Sequence, residues 1–318
     1  MKIVYSPEHL LHAPEHEIYD GEQEPYAEKP KRIEDIKIAL ERNGYQIIPP
    51  RDFDDSLVES IHFQRYVEYL QKQSATVVVG QRFASNYIMD SYTPITNGTY
   101  QAARTAANVA LTTMEEVVNG SPAYGLCRPP GHHAEPQRMG GYCYFNNAAI
   151  AAAELARKSR VAILDIDFHH GNGTQEIFYD RSDVLYISLH ATPDIAFPYF
   201  SGRAEEIGRG EGADYNLNLP LPKETGVDDY LETLQQGIER ISQYEPEYVV
   251  LSLGYDTYCH DPIAGFELEV EDYARIGLSI GAIEVPIVLI QEGGYHASDL
   301  GSLALSFLDG FRSQTKTS

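Results

Sequence analysis

The chain has 318 residues, enough to bury a sizeable core, and its 47 acidic against 24 basic side chains leave a formal charge of -23. That balance repels phosphate backbones and steers cations, so nucleic acid is not expected as a partner and a cationic ligand is; an acidic surface that merely keeps the chain soluble explains the charge equally well. Three scattered cysteines, Cys127, Cys143 and Cys259, make no disulfide framework, and no stretch approaches the roughly 20 apolar residues that cross a bilayer, so a cytoplasmic protein with no membrane partner is expected.

In chain order, the apolar runs "KIVY", "AYGLCR", "VAILDID", "VLYISLH", "YVVLSL" and "PIVLIQ" read as buried strands. Most are separated by stretches with apolar residues at three-and-four spacing, which predict helices. These are "KPKRIEDIKIALERNG" with its closing glycine, "TYQAARTAANVALTTMEEVVNG", "NAAIAAAELARKS", "DDYLETLQQGIERISQY" and "DYARIGLSIGAI". Such alternation implies an α/β fold with a mostly parallel sheet covered on both faces. Neither a repeat nor a linker is evident, so residues 1–318 are expected to form one domain. Long connections around residues 75–98 and 191–213 suit the mouth of a site.

The strand ends carry the chemistry. If "VAILDID" stays extended, Asp165, Asp167 and His169 share a face just where the strand leaves its sheet, and the other strands end near His190, Asp256, Glu292, Tyr295 and His296. Ligands of open α/β sheets bind at that carboxyl edge. A lone Asp after a strand is usually a turn or cap residue, and a lone His is usually a hydrogen-bonded surface group. Two carboxylates and an imidazole at alternate positions after an apolar strand are different, because unpaired buried charge is costly and is commonly resolved by pairing or by a metal. Oxygen and nitrogen donors without thiolate suit zinc as well as iron, cobalt or manganese. A second group, "CRPPGHHAEPQRMGGYCYFNN", sets His132 and His133 in a proline- and glycine-rich turn, and imidazole is well matched to proton transfer near neutral pH.

The motifs "RPPGHHA", "GGYCYFNNAAIAA", "LDIDFHHGNGTQEIFY", "SLGYDTYCHDP" and "EGGYH", in that order over nearly the whole chain, closely resemble the zinc-dependent histone deacetylase superfamily and its bacterial acetylpolyamine amidohydrolase branch. The resemblance implies an arginase/deacetylase-like three-layer α/β/α fold with about eight strands in a single catalytic domain. It also implies hydrolysis of N-acetylated amines, such as acetylputrescine or acetylcadaverine, by metal-activated water with release of acetate. By motif, Asp167, His169 and Asp256 would bind Zn2+, with Fe2+, Co2+ or Mn2+ as substitutes. Tyr295 would stabilise the oxyanion, and His133 would act as base and then acid. His132 would support His133, with Asp165 orienting His132 and Asn172 facing His133; a neutral amide at 172 favours the proton-accepting form of His133.

The same resemblance implies K+ on carbonyls of Asp165, Asp167, His169 and Leu189 and on the side chains of Asp165 and Ser188. A second K+ would lie near Phe178, Arg181, Val184 and Tyr215. Tyr142 and Phe197 would sandwich the methylene arm of the substrate, with Gly141 beside them. Asp90, Glu135, Glu205 and Glu206 are candidate acids of the mouth, and Glu292, where eukaryotic relatives carry glycine, fits the bacterial branch. Acetyl-lysine in proteins or peptides remains an alternative substrate. A homodimer is common in the branch, where a loop insertion narrows the site of the partner subunit, and this chain has only a modest segment, "SATVVVGQRFASNYIMDSYTPITNG", in that region. An arginase-type ureohydrolase, which would need two manganese ions, and a silent acetyl-amine binding module fit the motifs less well.

Overall fold

The computed structural model describes residues 1–19, 21–77 and 87–315. Its strands are β1 (Lys2–Val4), β2 (His16–Tyr19), β3 (Glu22–Pro25), β4 (Gln46–Ile48), β5 (Ala123–Gly125), β6 (Val161–Asp165), β7 (Val184–Ala191), β8 (Asn216–Leu221), β9 (Tyr248–Leu253) and β10 (Ile287–Gln291). Its α-helices are α1 (Lys31–Arg42), α2 (Ser56–Glu59), α3 (Gln64–Thr76), α4 (Thr99–Val118), α5 (Asn147–Ala156), α6 (Asn172–Phe178), α7 (Val227–Tyr244), α8 (Asp272–Gly281) and α9 (Ala297–Thr315). An eight-stranded sheet runs in the order β4-β1-β5-β10-β9-β6-β7-β8, and β2 and β3 form a separate hairpin. Every pairing within the large sheet is parallel.

Alternation within each strand builds the two layers of core. Along β6, Ala162 and Leu164 face one side, packing with Leu234 and Ile241 of α7, Ile276 of α8 and Phe307 of α9. Val161 and Ile163 face the other, with Ala106 and Leu111 of α4 and the alanine-rich face of α5. β7, β9 and β10 repeat the division, which is why their sequences read as continuous apolar runs. The small side chains Ala148, Ala149, Ala151 and Ala152 of α5 are all buried. Asn146 caps that helix by accepting from the Ala149 amide at 3.0 Å.

The sheet is wider than the six strands read from apolar runs. Its two edges, β4 and β8, carry the short sequences QII and NLNLPL, whose polar residues and half-buried positions break a core-strand pattern. β6 also ends earlier than "VAILDID" suggests, at Asp165, so residues 166–171 leave the sheet as a loop instead of continuing an extended face.

Candidate active site

The loops after β6, β9 and β10 meet at the carboxyl edge of the sheet. Asp167 and His169 come from the first, Asp256 from the second, and Gly293 to Tyr295 from the third. Donor atoms of Asp167, His169 and Asp256 all lie within 4.8 Å of one another, and both carboxylates are buried. His169 Nδ1 is 3.0 Å from Asp256 Oδ2 and 3.4 Å from Asp167 Oδ1. Ligands about 2.0–2.2 Å from a tetrahedral ion stand about 3.3–3.6 Å apart, so the donors are spaced to close on one with little movement.

Backbone amides aim the carboxylates. Asp167 Oδ1 accepts from the His169 amide at 2.9 Å, Asp167 Oδ2 from Gly293 at 2.8 Å, and Asp256 Oδ1 from Phe168 at 2.9 Å. A Cβ on Gly293 would stand 2.5 Å from Asp167 Oδ2 and 2.6 Å from Asp256 Oδ2, so the glycine of "EGGYH" is required by close approach to the donor cluster. Two buried carboxylates side by side disfavour full ionisation: burial and the charge of Asp167 push Asp256 up to about 7. Burial also opposes the charge on Asp167, yet the neighbouring His132 and His169 hold it well below the usual range. A divalent cation would relieve both. Among the described residues donor atoms also gather, with a cysteine sulfur in each group, at His132, Cys143 and Glu292, and at Cys259, His260 and Glu269.

Asp165 points away from this cluster. Its Oδ2 accepts from His132 Nδ1 at 3.1 Å and from the Tyr186 hydroxyl at 3.1 Å. The equal alternation expected of residues 165, 167 and 169 therefore fails where the strand ends: one carboxylate serves a histidine, and the other two groups join Asp256. His133 donates from Nδ1 to Asn172 Oδ1 at 2.8 Å, which leaves Nε2 as the proton-accepting atom of the neutral ring. Asn172 is held in turn by donating to Glu135 Oε1 at 3.1 Å.

The tandem histidines are driven apart in acidity. Burial lowers His132, but the charges of Asp167 and Asp165 overcome it and raise that ring to about 10. For His133 burial dominates, His132 and His169 add to it, and the ring is held well below the usual imidazole range. One imidazole is thus a stable cation and its neighbour a neutral acceptor, with ring centroids 4.0 Å apart.

Above His133 lies an aromatic lining. Phe197 meets the His133 ring edge-on at 4.9 Å, and Tyr142 lies 5.6 Å from the Tyr295 ring. Between Tyr142 and Phe197 sits Tyr92, 5.5 Å from the first and 5.7 Å from the second. The mouth beyond is an open depression of about 460 Å³ lined by Met89 to Tyr92 and Phe197 to Phe200. Gly141 has φ +55, and its Cα faces the His133 ring so closely that a Cβ would sit 2.7 Å from Cγ. Tyr142 itself adopts φ 67, a strained conformation for a tyrosine, which turns its ring into the lining.

Several site residues had no sequence signal. Glu17, in the hairpin, is buried and accepts from the Tyr142 hydroxyl at 3.1 Å. Arg32 of α1 lies over the Tyr295 ring at 4.6 Å and donates to the carbonyls of Glu292 and Gly294. Tyr92 belongs to the same class: it stands in an irregular segment, where neither period nor motif marks it. Three of the four candidate mouth acids are engaged internally. Asp90 accepts from the Gly141 amide at 2.6 Å, Glu135 pairs with Arg138 and Asn172, and Glu206 accepts from Gln175, Ser201 and Gly202. Glu205 alone is exposed. Residues 78–86 of the stretch considered for dimer formation lie outside the described residues.

Comparison with known proteins gives the family. Residues 26–311 match the family model described as the histone deacetylase domain. Acetylpolyamine amidohydrolase 2 of Pseudomonas aeruginosa is 39% identical with 98% of each chain covered. The acetylpolyamine amidohydrolase of Mycoplana ramosa is 36% identical over 98% of this chain and 99% of that one. A crystal structure of the acetylpolyamine aminohydrolase of Burkholderia pseudomallei superposes with a TM-score of 0.94 at 35% identity, covering 99% of both chains. The chain therefore belongs to the histone deacetylase family of hydrolases and, within it, to the bacterial acetylpolyamine amidohydrolase branch.

Proposed function

We propose that this chain is a zinc-dependent amidohydrolase that releases acetate from small N-acetylated polyamines such as acetylputrescine or acetylcadaverine. The observation that carries the reading is the pairing of the buried Asp167, His169 and Asp256 donors with an adjacent imidazole, His133, whose Nδ1 is committed to Asn172 and whose Nε2 is left to accept a proton. Asp167, His169 Nδ1 and Asp256 would hold Zn2+, and Fe2+, Co2+ or Mn2+ suit the same donors. When bound, the metal supplies Lewis acidity at the acetyl oxygen and a water whose pKa falls towards neutrality.

The remaining work falls to side chains. His133 takes a proton at Nε2 and returns it to the leaving amine, which needs the neutral ring that burial enforces. His132, fixed by Asp165, keeps a positive charge beside the developing oxyanion. Tyr295 donates its hydroxyl to that oxygen, and Arg32 behind the ring holds the turn that carries it. Tyr142 and Phe197 grip the methylene arm, with Gly141 giving the His133 ring its room. The acidic chain and the Glu17 carboxylate behind Tyr142 favour a cationic substrate over a neutral one.

K+ would sit on carbonyls of Asp165, Asp167, His169 and Leu189 with the side chains of Asp165 and Ser188. Because His190 Nε2 donates to the Gly202 carbonyl, its Nδ1 accepts from Ser188, whose hydroxyl keeps lone pairs for a cation. A second K+ near Phe178, Arg181, Val184 and Tyr215 belongs to the same reading, as do a single cytoplasmic catalytic domain and a homodimer. The test is kcat/KM for acetate release from N-acetylputrescine, N-acetylcadaverine and an acetyl-lysine peptide by the zinc-loaded protein, with His133→Ala as control. Preference for the small amines supports the proposal. Preference for the peptide would make the protein a lysine deacetylase, and no release from any of them would refute amide hydrolysis.

A further inference from the structure

Outside the active site, residues 257–259 run beside residues 266–269 as a short extended pair. The Phe266 amide donates to the Thr257 carbonyl at 3.1 Å, the Cys259 amide to the Leu268 carbonyl at 2.9 Å, and Tyr258 bridges Leu268 in parallel register. The turn between them closes on Gly265, whose φ of +115 and close approach to the Tyr258 carbonyl exclude a side chain. This backbone brings Cys259, His260 and Glu269 together at the surface, with one donor atom of each within 4.8 Å of the others. His260 and Glu269 are exposed and can rotate freely, towards a Cys259 that is half-buried against the edge of the core.

We infer that Cys259, His260 and Glu269 form a second transition-metal site, suited to Zn2+ or Co2+ and separate from the catalytic donors. Thiolate, imidazole and carboxylate are the ligand types zinc prefers, and about 3.5 Å between donors of a tetrahedral ion is a contraction of about 1 Å that exposed rotamers can make. Water completes the fourth position. On binding, the Cys259 thiol releases its proton to solvent and the metal takes the sulfur lone pair, so that metal and proton compete for the site. Asp272, whose Oδ2 accepts from the Glu269 amide at 2.9 Å, holds the carboxylate-bearing residue in place and adds negative charge nearby. The site also has a mechanical link to the active site. Asp261 follows His260, and its Oδ2 accepts from the Tyr295 amide at 2.6 Å, so a metal on Cys259 and His260 would stiffen the turn that carries Tyr295.

Titrating the metal-free protein with Co2+ alone distinguishes this site from the catalytic one, because among the proposed ligands of both only Cys259 supplies sulfur. The expected result is a thiolate-to-cobalt charge-transfer absorption in the near ultraviolet that is lost in Cys259→Ser and weakened in His260→Ala and Glu269→Gln. It should persist in Asp167→Ala, which removes a ligand of the other cluster, and Cys259→Ser should lose one bound metal per chain while keeping acetate release. Absence of the band in the unsubstituted protein, its survival in Cys259→Ser, or its disappearance in Asp167→Ala would each overturn the inference. Failure of the catalytic reading would show instead as absent acetate release with the band intact.

Discussion

Gly141→Ala separates the geometry of the proposed base from the stability of the fold. At φ +55 an alanine costs about 1–2 kcal/mol in the left-handed region. Its Cβ would begin 2.7 Å from His133 Cγ and closer still to Cδ2, whereas carbon atoms rest about 3.5–4.0 Å apart, so the ring and the Gly141 backbone must separate by more than about 1 Å. Asp90 tethers the Gly141 amide at 2.6 Å, and Asn172 tethers the ring at 2.8 Å, so neither side can yield without losing a hydrogen bond. A 1 Å displacement of a reacting group costs on the order of 10²-fold in rate, and the combined strain on the fold should be about 2–4 kcal/mol. The assay is kcat and KM for N-acetylcadaverine, with thermal unfolding and metal content measured on the same preparation. Gly98→Ala is the control: it too has positive φ, +98, but its Cβ would meet Leu11 and no active-site residue, so it should destabilise the fold and leave kcat unchanged. Turnover in Gly141→Ala within about threefold of the parent, with metal content unchanged, would refute the role assigned to the close approach.

Loss of the Tyr295 hydroxyl in Tyr295→Phe should lower kcat by about 10²-fold or more with little change in bound metal, and undiminished turnover would remove Tyr295 from the mechanism. Asp256→Asn replaces an anionic donor with an amide; equilibrium dialysis against Zn2+ should show the catalytic equivalent lost, and full retention would argue against Asp256 as a ligand. His62 gives a pH-dependent prediction away from the metal. Its Nδ1 donates to the Glu135 carbonyl and its Nε2 accepts from the Asn146 amide, so the ring is buried neutral and burial lowers its pKa from 6.5 to about 4. The unfolded chain takes up this proton below about pH 6.5 while the folded chain refuses it until about pH 4, so its contribution is complete above pH 6.5 and lost as pH falls through that window, by about 3 kcal/mol. Denaturant unfolding of the parent and His62→Gln between those limits should show a shallower loss in the variant; parallel curves would mean that His62 is protonated in the folded state.

What the sequence disclosed, and what it concealed, divides along a physical line. Buried strands such as β9 and β10 and amphipathic helices such as α1 and α7 announce themselves because each buries a face of fixed period, and the donors Asp167, His169 and Asp256 stand immediately after such strands. The edge strands β4 and β8 bury less and mix polar residues into the pattern, so they do not read as strands. Asp165 shows the limit of the periodic argument inside the site itself. Alternation groups it with Asp167 and His169, but alternation holds only while the backbone is extended, and where β6 stops the carboxylate is free to turn to His132. The groups that set the electrostatics are harder still to read. Glu17 reaches Tyr142 across 125 residues of chain and Arg32 reaches the Gly294 carbonyl across 262, from a hairpin and a helix with no chemical motif of their own. Such contacts exist only once the sheet has placed its neighbours, so a motif reveals the atoms that react while the charges that tune them follow from topology. The same reasoning bears on substrate choice. On the proposed reading the acetamide end would meet residues that adjoin strands, whereas the far end of the substrate would meet the irregular segments 87–92 and 197–200, so amine and peptide substrates would be separated by the part of the chain whose sequence is least informative.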